Sequence, residues 1–158
     1  ELGDARAYRL IRDHFDLIFE AVASHHGVPI KTIGDAVMGV FTNEESAVRA
    51  AFAMTDALTK SNPTGGAGRA LRLKIGLHRG PVIVVTLNNR IDYFGRTVNI
   101  ASRVQSLANA NELSMMKTVL AAPGVKPALQ ERVSHVSRVT TRLKGIDGSA
   151  EVFKVRLR

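Results

Sequence analysis

A lysine and a carboxylate stand close together in the pentapeptide Lys31-Thr32-Ile33-Gly34-Asp35, between two short apolar segments. Gly34-Asp35 suits a two-residue turn between strands, which puts Asp35 at the rim of a sheet, within reach of a bound cation. Magnesium prefers oxygen ligands and usually takes one or two carboxylates plus substrate phosphates. Even spacings along a strand share a face, so Lys31 can point into the same cleft. Taken alone, however, the pentapeptide fits a solvated turn better than a metal site.

A second group of polar side chains lies in segment 92–103. Asn99 and Arg103 are four residues apart and therefore share one face of a helix. The rigid guanidinium fork suits phosphate oxygens, the amide adds a neutral donor, and the N-terminus of a helix also favours an anion. A polar face turned to water explains the same spacing equally well.

The remaining polar candidates are isolated in the sequence. Lys144 precedes Gly145 in a late turn, where a lone lysine is usually solvated. We expect each histidine to be solvated or hydrogen-bonded, since none has further metal ligands nearby. No Ser-His-Asp order or glycine-flanked nucleophile elbow is present. The histidines are His14, His25, His26, His78 and His135.

Apolar periodicity predicts the elements that must position these residues. Three helices are expected: one over 4–25 that stops at Gly27, one after the capping-box spacing of 42–45 with Ala47, Ala51, Met54 and Leu58, and one over 97–107 with Val98, Ala101, Val104 and Ala108. Strands are expected at 28–33 paired with 36–41, 71–77 paired with 82–87, 113–116, and 133–143 and 152–157 around a turn at 145–148. Segment 61–68 is predicted to be a linker loop, and 118–132 a helical stretch broken by Pro123 and Pro127.

The 158 residues, 45% of them hydrophobic, predict one domain with a substantial core. The alternation of helices and hairpins indicates an α+β fold with helices packed on one mainly antiparallel sheet. The absence of cysteine excludes disulfides and favours an intracellular compartment. We therefore expect a cytoplasmic location, or the cytoplasmic face of a membrane within a larger protein, because no apolar run approaches the ~20 residues of a membrane span.

The net charge of +8 favours anionic partners such as nucleotides, nucleic acid or acidic lipid, although a solvated basic surface is equally consistent with it. A basic nucleic-acid-binding domain is therefore an open alternative. With 5% aromatic residues and no tryptophan, the chain has little on which to stack the bases of a single strand.

Several segments together resemble the class III adenylyl/guanylyl cyclase catalytic domain. They are KTIGDAVM at 31–38, VF at 40–41, IGLHRG at 75–80 and YFGRTVNIASR at 93–103, in the order and spacing of that family. The resemblance covers nearly the whole chain and implies a single ferredoxin-like cyclase domain over 1–158. The basic nucleic-acid-binding alternative does not explain this spacing.

The resemblance implies a role for each matching residue. Asp35 matches the second of two aspartates that hold two divalent cations, Mg²⁺ or Mn²⁺. Lys31 and Asp92 match the pair that reads adenine, at positions where guanylyl cyclases typically carry Glu and Cys. This pair implies conversion of ATP to 3′,5′-cyclic AMP and pyrophosphate, as an intracellular second messenger.

The other matches concern the ribose, the phosphates and a second subunit. Asn99 and Arg103 match the transition-state pair, of which Asn orients the ribose and Arg braces the phosphates, and Lys144 matches the lysine at the terminal phosphates. In this family the site forms between two domains paired head to tail. Since this chain carries members of both sets, the resemblance implies a symmetric homodimer with two composite sites.

The sequence departs from the family in one respect. A Phe-x-Asp motif with the first metal aspartate would fall before Glu1, and Asp4, Asp13 and Asp16 lie in or beside the first predicted helix and cannot replace it. We therefore expect the first strand and one metal ligand to be missing from the chain as printed. The alternatives are a fragment of an active adenylate cyclase and an inactive cyclase-like module for nucleotide binding or dimerisation.

Overall fold

The computed structural model describes residues 3–61, 71–133 and 135–157, in which helices and hairpins alternate along the chain. None of the helices in these ranges is long and apolar enough to cross a membrane. The elements are α1 (Asp4–Ser24), β1 (Val28–Ile33), β2 (Ala36–Val40), α2 (Glu44–Ser61), β3 (Lys74–Leu77), β4 (Ile83–Leu87), β5 (Arg90–Phe94), α3 (Arg96–Ser106), β6 (Glu112–Met116), α4 (Lys117–Leu120), α5 (Val125–Gln130), β7 (Val136–Thr141) and β8 (Ala150–Arg156).

The main sheet has the strand order β3-β6-β8-β7, in which β3 and β6 are parallel and the other pairs are antiparallel. The hairpins β1-β2 and β4-β5 form two further two-stranded sheets. The predicted α+β class is confirmed. The described strands are divided among three sheets, however, where the sequence indicated one.

The predicted pairing of 71–77 with 82–87 is wrong. β3 pairs with β6 through partners such as Ile75 and Leu113, whereas β4 pairs with β5. The turn between β4 and β5 is Asn88-Asn89, and both residues have positive φ, 50° and 59°. Two positive φ values make a type I′ turn, whose twist matches the twist of a hairpin. The paired asparagines were therefore a hairpin signal in the sequence.

The main hydrophobic core lies between α2, α4, α5 and the main sheet. Val48, Leu113 and Met115 are fully buried in it. A second core joins α3 to β8 and the turn before it, through Ile100, Val104, Leu143, Ala150 and Val152. Burial of this kind contributes roughly 1.5–3 kcal/mol for each large aliphatic side chain. It fixes α3 against the sheet and the turn that follows Leu143.

The buried stripe of α3 differs in part from the prediction. Val104 and Ala108 are buried as expected, but Val98 and Ala101 are half-buried and Ile100 takes the central place. Ile100 is buried because it packs in the core cluster with Leu143, Ala150 and Val152.

The first helix ends within one residue of its predicted end, whereas the cap of α2 differs from the prediction. The residue with positive φ after α1 is His26, and the amide of Gly27 closes on the carbonyl of Val22 at 2.9 Å. The α2 cap is Asn43, whose Oδ1 accepts the Ser46 amide at 3.0 Å, so Thr42 is not the cap. An amide oxygen satisfies one of the free N–H groups of the first turn as well as a hydroxyl does.

The other predicted elements stand close to their expected places. The break between α4 and α5 falls at Pro123, whereas Pro127 is accommodated inside α5. The final hairpin β7-β8 is confirmed. Within the predicted linker 61–68, Ser61 is the last residue of α2, and the rest lies outside the described residues.

Gly76→Ala is expected to destabilise the fold by about 1–3 kcal/mol. Because Gly76 has no side chain, α3 can pack closely against β3. A methyl group at Gly76 would overlap the backbone of Gln105 in α3. The matched control is Gly39→Ala, whose new methyl group meets its nearest neighbour, on Val22, at 3.4 Å. That control should be neutral or more stable by roughly 0.4–1 kcal/mol. Urea unfolding measures the stability of both variants. Equal unfolding midpoints for Gly76→Ala and Gly39→Ala would contradict the close approach of α3 and β3.

Candidate functional site

Two of the predicted site residues meet between the hairpins β1-β2 and β4-β5. The Nζ atom of Lys31 donates to Oδ2 of Asp92 at 2.6 Å, and it lies 4.9 Å from the centre of the Phe94 ring. The two side chains are 34% and 16% exposed. The backbone amide of Tyr93 donates to the other oxygen of Asp92 at 2.7 Å. These contacts hold a donor and an acceptor side by side.

The electrostatics of Asp92 follow from these contacts. The hydrogen bond from Lys31 is the largest cause that lowers the pKa of Asp92, and the Tyr93 amide adds to it, while desolvation opposes both. A carboxyl group whose pKa is lowered by folding stabilises the folded state at pH values above the ordinary carboxyl pKa. This stabilisation is lost as the pH falls through the lowered pKa. Near neutral pH Asp92 is therefore a carboxylate, which accepts the hydrogen bond from Lys31. Such a pair can donate to and accept from the edge of one planar heterocycle.

Three more of the predicted residues gather around α3. Asn99 and Arg103 lie on one helix face, with Asn99 exposed. The guanidinium Nη1 of Arg103 donates to the backbone carbonyl of Lys144. Gly145, which follows, has a φ of +90°, a conformation that favours glycine and turns the chain over α3. The structure thus brings Arg103 to Lys144 across 41 residues.

Asp35 is not bonded to these residues. It is exposed in the β1-β2 turn, after Gly34 with a φ of 61°, and it makes no hydrogen bond or ion pair with the other five predicted site residues in the described part of the chain. Its oxygens are therefore available to a cation. Within residues 3–61, 71–133 and 135–157, no group of three or more His, Asp or Glu side chains could hold a metal ion. Asp35 fits one position of a cation site that also needs other ligands.

The histidines agree with the sequence prediction only in part. His25 is satisfied, since its Nδ1 pairs with the carbonyl of Ala21 at 2.9 Å. The Nδ1 atoms of His14 and His78 are buried and have no hydrogen-bond partner in the part of the chain that the structure describes. Burial lowers the pKa of both imidazoles, and Asp35 partly opposes this at His14. Both rings are therefore expected to be neutral at pH 7.

An open cleft of about 470 Å³ separates the β3-β4 loop from the start of α3. Oγ1 of Thr97 donates to the carbonyl of Pro81 at 2.5 Å and ties the two sides together. The sequence reasoning did not single out Phe94 or Arg96 in this region. The signal for Arg96 was its position seven residues before Arg103, which returns to the same helix face. The cleft is lined by His78, Arg79, Gly80, Pro81, Val82, Ile83, Phe94, Gly95, Arg96, Thr97 and Ile100.

Large apolar side chains are exposed on the two hairpins beside the Lys31–Asp92 pair. Ile83 is paired with Phe94 across β4-β5, and both share a hairpin face with Asp92 and Leu87. We call the exposed apolar residues on this face the hairpin surface; they are Ile83, Leu87 and Phe94, which are 44–64% exposed. Apolar patches of this kind commonly mark sites of protein association. Val84 and Ile91 are exposed on the other face of β4-β5, and Val28 and Ile33 are exposed on β1.

Comparison with known proteins gives consistent matches over most of the chain. The family model described as the adenylate and guanylate cyclase catalytic domain matches residues 4–155. An adenylate cyclase of Anabaena cylindrica is 28% identical over 161 residues, which cover 94% of this chain and 32% of that protein. Adenylate cyclase 1 of Rhizobium meliloti (strain 1021) is 28% identical over 159 residues, which cover 92% of this chain and 23% of that protein. The chain therefore spans about a third or less of the length of these two relatives.

A solved structure extends the match to the fold. The crystal structure of the guanylyl cyclase Cya2 has a TM-score of 0.80 to this chain at 22% identity, and the match covers 98% of this chain and 82% of that one. At this identity the likeness bears on the fold alone. Proteins similar to this chain thus include both adenylate and guanylyl cyclases.

Proposed function

Since the chain belongs to the adenylate and guanylate cyclase catalytic domain family, we propose that it converts ATP into 3′,5′-cyclic AMP and pyrophosphate. The observation that carries the choice of ATP is the hydrogen bond of 2.6 Å between Lys31 and Asp92. Adenine presents a ring-nitrogen acceptor beside an exocyclic amine donor, and this pair offers a donor beside an acceptor. Guanine reverses that pattern and would leave both protein groups unpaired.

The proposed reaction is an in-line displacement at the α-phosphorus. The ribose 3′-oxygen forms a bond to this phosphorus, its proton passes to solvent, and the bond to the β-phosphate oxygen breaks. Pyrophosphate leaves with the electron pair of that bond. Asn99 orients the ribose, and Arg103 supplies positive charge where negative charge builds up in the transition state. The Lys144 carbonyl holds one nitrogen of Arg103, which orients the guanidinium.

Two divalent cations, Mg²⁺ or Mn²⁺, are part of the proposal. Such ions lower the barrier of this reaction by neutralising charge on the phosphate oxygens. Asp35 is the residue of this chain that fits as a ligand, because its exposed carboxylate accepts no hydrogen bond from the other predicted site residues.

A second copy of the chain, paired head to tail, is the proposed partner. The hairpin surface adjoins Asp92, so a copy that covers it would also close the site around the nucleotide. Arg103 and Lys144 contact each other, and within the described ranges Asp35 forms no hydrogen bond or ion pair with either of them, which is consistent with a site divided between two copies. Each copy would give Asp35 to one site and the base-reading and phosphate residues to the other.

A second candidate function is nucleotide binding without catalysis, in a sensor or dimerisation module. The observation that favours it is the absence, among the described residues, of a cluster of three metal-binding side chains. This candidate keeps the base-reading pair and the arginine but forms no cyclic product.

The proposal is tested by cyclic AMP formation from ATP with Mn²⁺ over a hundredfold range of protein concentration. We expect activity per mole of protein to rise with concentration and then to level off, because a monomer has no complete site. Ile83→Glu should lower the activity at every concentration, since a buried carboxylate at the hairpin surface weakens association. The matched control is Leu10→Glu, on the exposed side of α1. Activity per mole that is constant on dilution would contradict the shared site.

A further inference from the structure

Arg96, at the first position of α3, lies on the same helix face as Asn99 and Arg103. The resemblance to the cyclase family assigned no role to Arg96. Its side chain is exposed and also lines the cleft beside the β3-β4 loop. Its position is well defined, because Thr97 ties the start of α3 to the Pro81 carbonyl and Ile100 anchors the next turn in the core.

Side-chain atoms of Arg96 and of Arg103 both lie beside the Gly145 turn. A methyl group built on Gly145 would lie 3.1 Å from Nη1 of Arg103 and 3.6 Å from Cγ of Arg96. Lys144 precedes this glycine, and its carbonyl accepts a hydrogen bond from Arg103. Three residues with cationic side chains, Arg96, Arg103 and Lys144, are therefore attached close to one turn.

These cations have no carboxylate partner among the described residues. Neither Arg96, Arg103 nor Lys144 forms an ion pair there, and Asp147, three residues after Lys144, pairs with none of them. Four arginines elsewhere in the protein form ion pairs: Arg49 with Glu45 and Glu131, Arg79 with Glu44, Arg132 with Asp56 and Arg138 with Glu151.

Unpaired like charges that lie close together repel each other, and a polyanion bound between them compensates this repulsion. Arginine suits such a ligand because its planar fork donates two parallel hydrogen bonds to phosphate oxygens. A ligand with several adjacent negative charges is therefore a better match than a single anion.

We propose that Arg96 is a further phosphate-binding residue, which acts with Arg103 and Lys144 on the two terminal phosphates of the nucleotide. The identification of the ligand as a nucleoside triphosphate rests on the proposed function. The same contact would stabilise the pyrophosphate as it leaves, so Arg96 contributes to binding of both substrate and product.

The test is binding of inorganic tripolyphosphate, measured by calorimetry on the wild type and on Arg96→Gln and Arg96→Lys. We expect Arg96→Gln to weaken binding about tenfold or more, because a charge-assisted contact is lost. Arg96→Lys should fall between it and the wild type, since it keeps the charge but loses the fork. Adenosine, which has no phosphates, should bind all three proteins equally.

The matched control is Arg72→Gln, an exposed arginine in the segment before β3, which should bind tripolyphosphate like the wild type. Circular dichroism checks that each variant is folded. Equal tripolyphosphate affinity for Arg96→Gln and Arg72→Gln would overturn the inference, and so would no binding by the wild type.

The inference and the proposed function can fail separately. If the wild type makes no cyclic AMP but the Arg96 variants still weaken tripolyphosphate binding, the proposed function fails and the phosphate contact stands. If cyclic AMP is made and tripolyphosphate binding ignores Arg96, the function stands and the contact is wrong.

Discussion

Asp35→Ala and Arg103→Ala are each expected to lower cyclic AMP formation by about 10²–10³-fold, whereas an equal mixture of the two recovers about a quarter of wild-type activity. In a symmetric head-to-tail dimer, the Asp35 of one copy serves the site that contains the Arg103 of the other. Half of the dimers in the mixture contain one of each variant. Each mixed dimer has one intact site and one site that lacks both residues, which gives the expected quarter.

The control for this experiment is a mixture of Asn99→Ala with Arg103→Ala. Both residues lie on the same face of α3, so they belong to the same half of each site. In every mixed dimer both sites are damaged, and activity should stay at the level of the single variants. Recovery in this control, or none in the Asp35 mixture, would contradict the division of residues between copies.

The double variant Lys31→Glu with Asp92→Cys is expected to lower the preference for ATP over GTP by at least about 10²-fold, with ~10⁴-fold as the ceiling for well-buried groups. The glutamate accepts where the lysine donated, and the thiol no longer accepts strongly from the adenine amine. Cyclic AMP and cyclic GMP are measured separately at several substrate concentrations, so that kcat/KM is obtained for each nucleotide.

Single variants and a distant charge change separate specificity from general damage. Lys31→Glu alone places two carboxylates next to each other, so we expect it to lose activity with both nucleotides. Lys126, which is exposed on α5, provides a distant control: Lys126→Glu changes the net charge by as much as Lys31→Glu alone and should leave the preference for ATP over GTP unchanged. An unchanged preference in the double variant would contradict the assignment of base reading to Lys31 and Asp92.

Local signals in the sequence predicted the helices and two of the three hairpins, but not the β4-β5 hairpin. The β1-β2 hairpin and its Gly34-Asp35 turn follow from residues adjacent in the chain, as does the β7-β8 hairpin. The pairing of β3 with β6 joins Ile75 to Leu113, and no pattern in either segment specifies that partner. Strand partners that are distant in sequence depend on how whole elements pack, so periodicity alone could not supply them.

The candidate site, like the fold, could be predicted from the sequence only in part. Residue types and spacing placed Asn99 and Arg103 on one helix face, and the resemblance implied that Lys31 and Asp92 act together. Neither could give the 2.6 Å contact across 61 residues or the contact of Arg103 with the Lys144 carbonyl. Arg96 was missed because its chemistry depends on the Gly145 turn, which comes close to it only in the folded chain.

The most direct test of the central claim is a competition between equal concentrations of ATP and GTP in one reaction with Mn²⁺. Both cyclic nucleotides are quantified after incubation with the wild-type protein. The proposed function predicts a large excess of cyclic AMP over cyclic GMP, because the Lys31–Asp92 pair matches adenine. An excess of cyclic GMP would contradict the base assignment, and the absence of both products would contradict catalysis and favour the nucleotide-binding alternative.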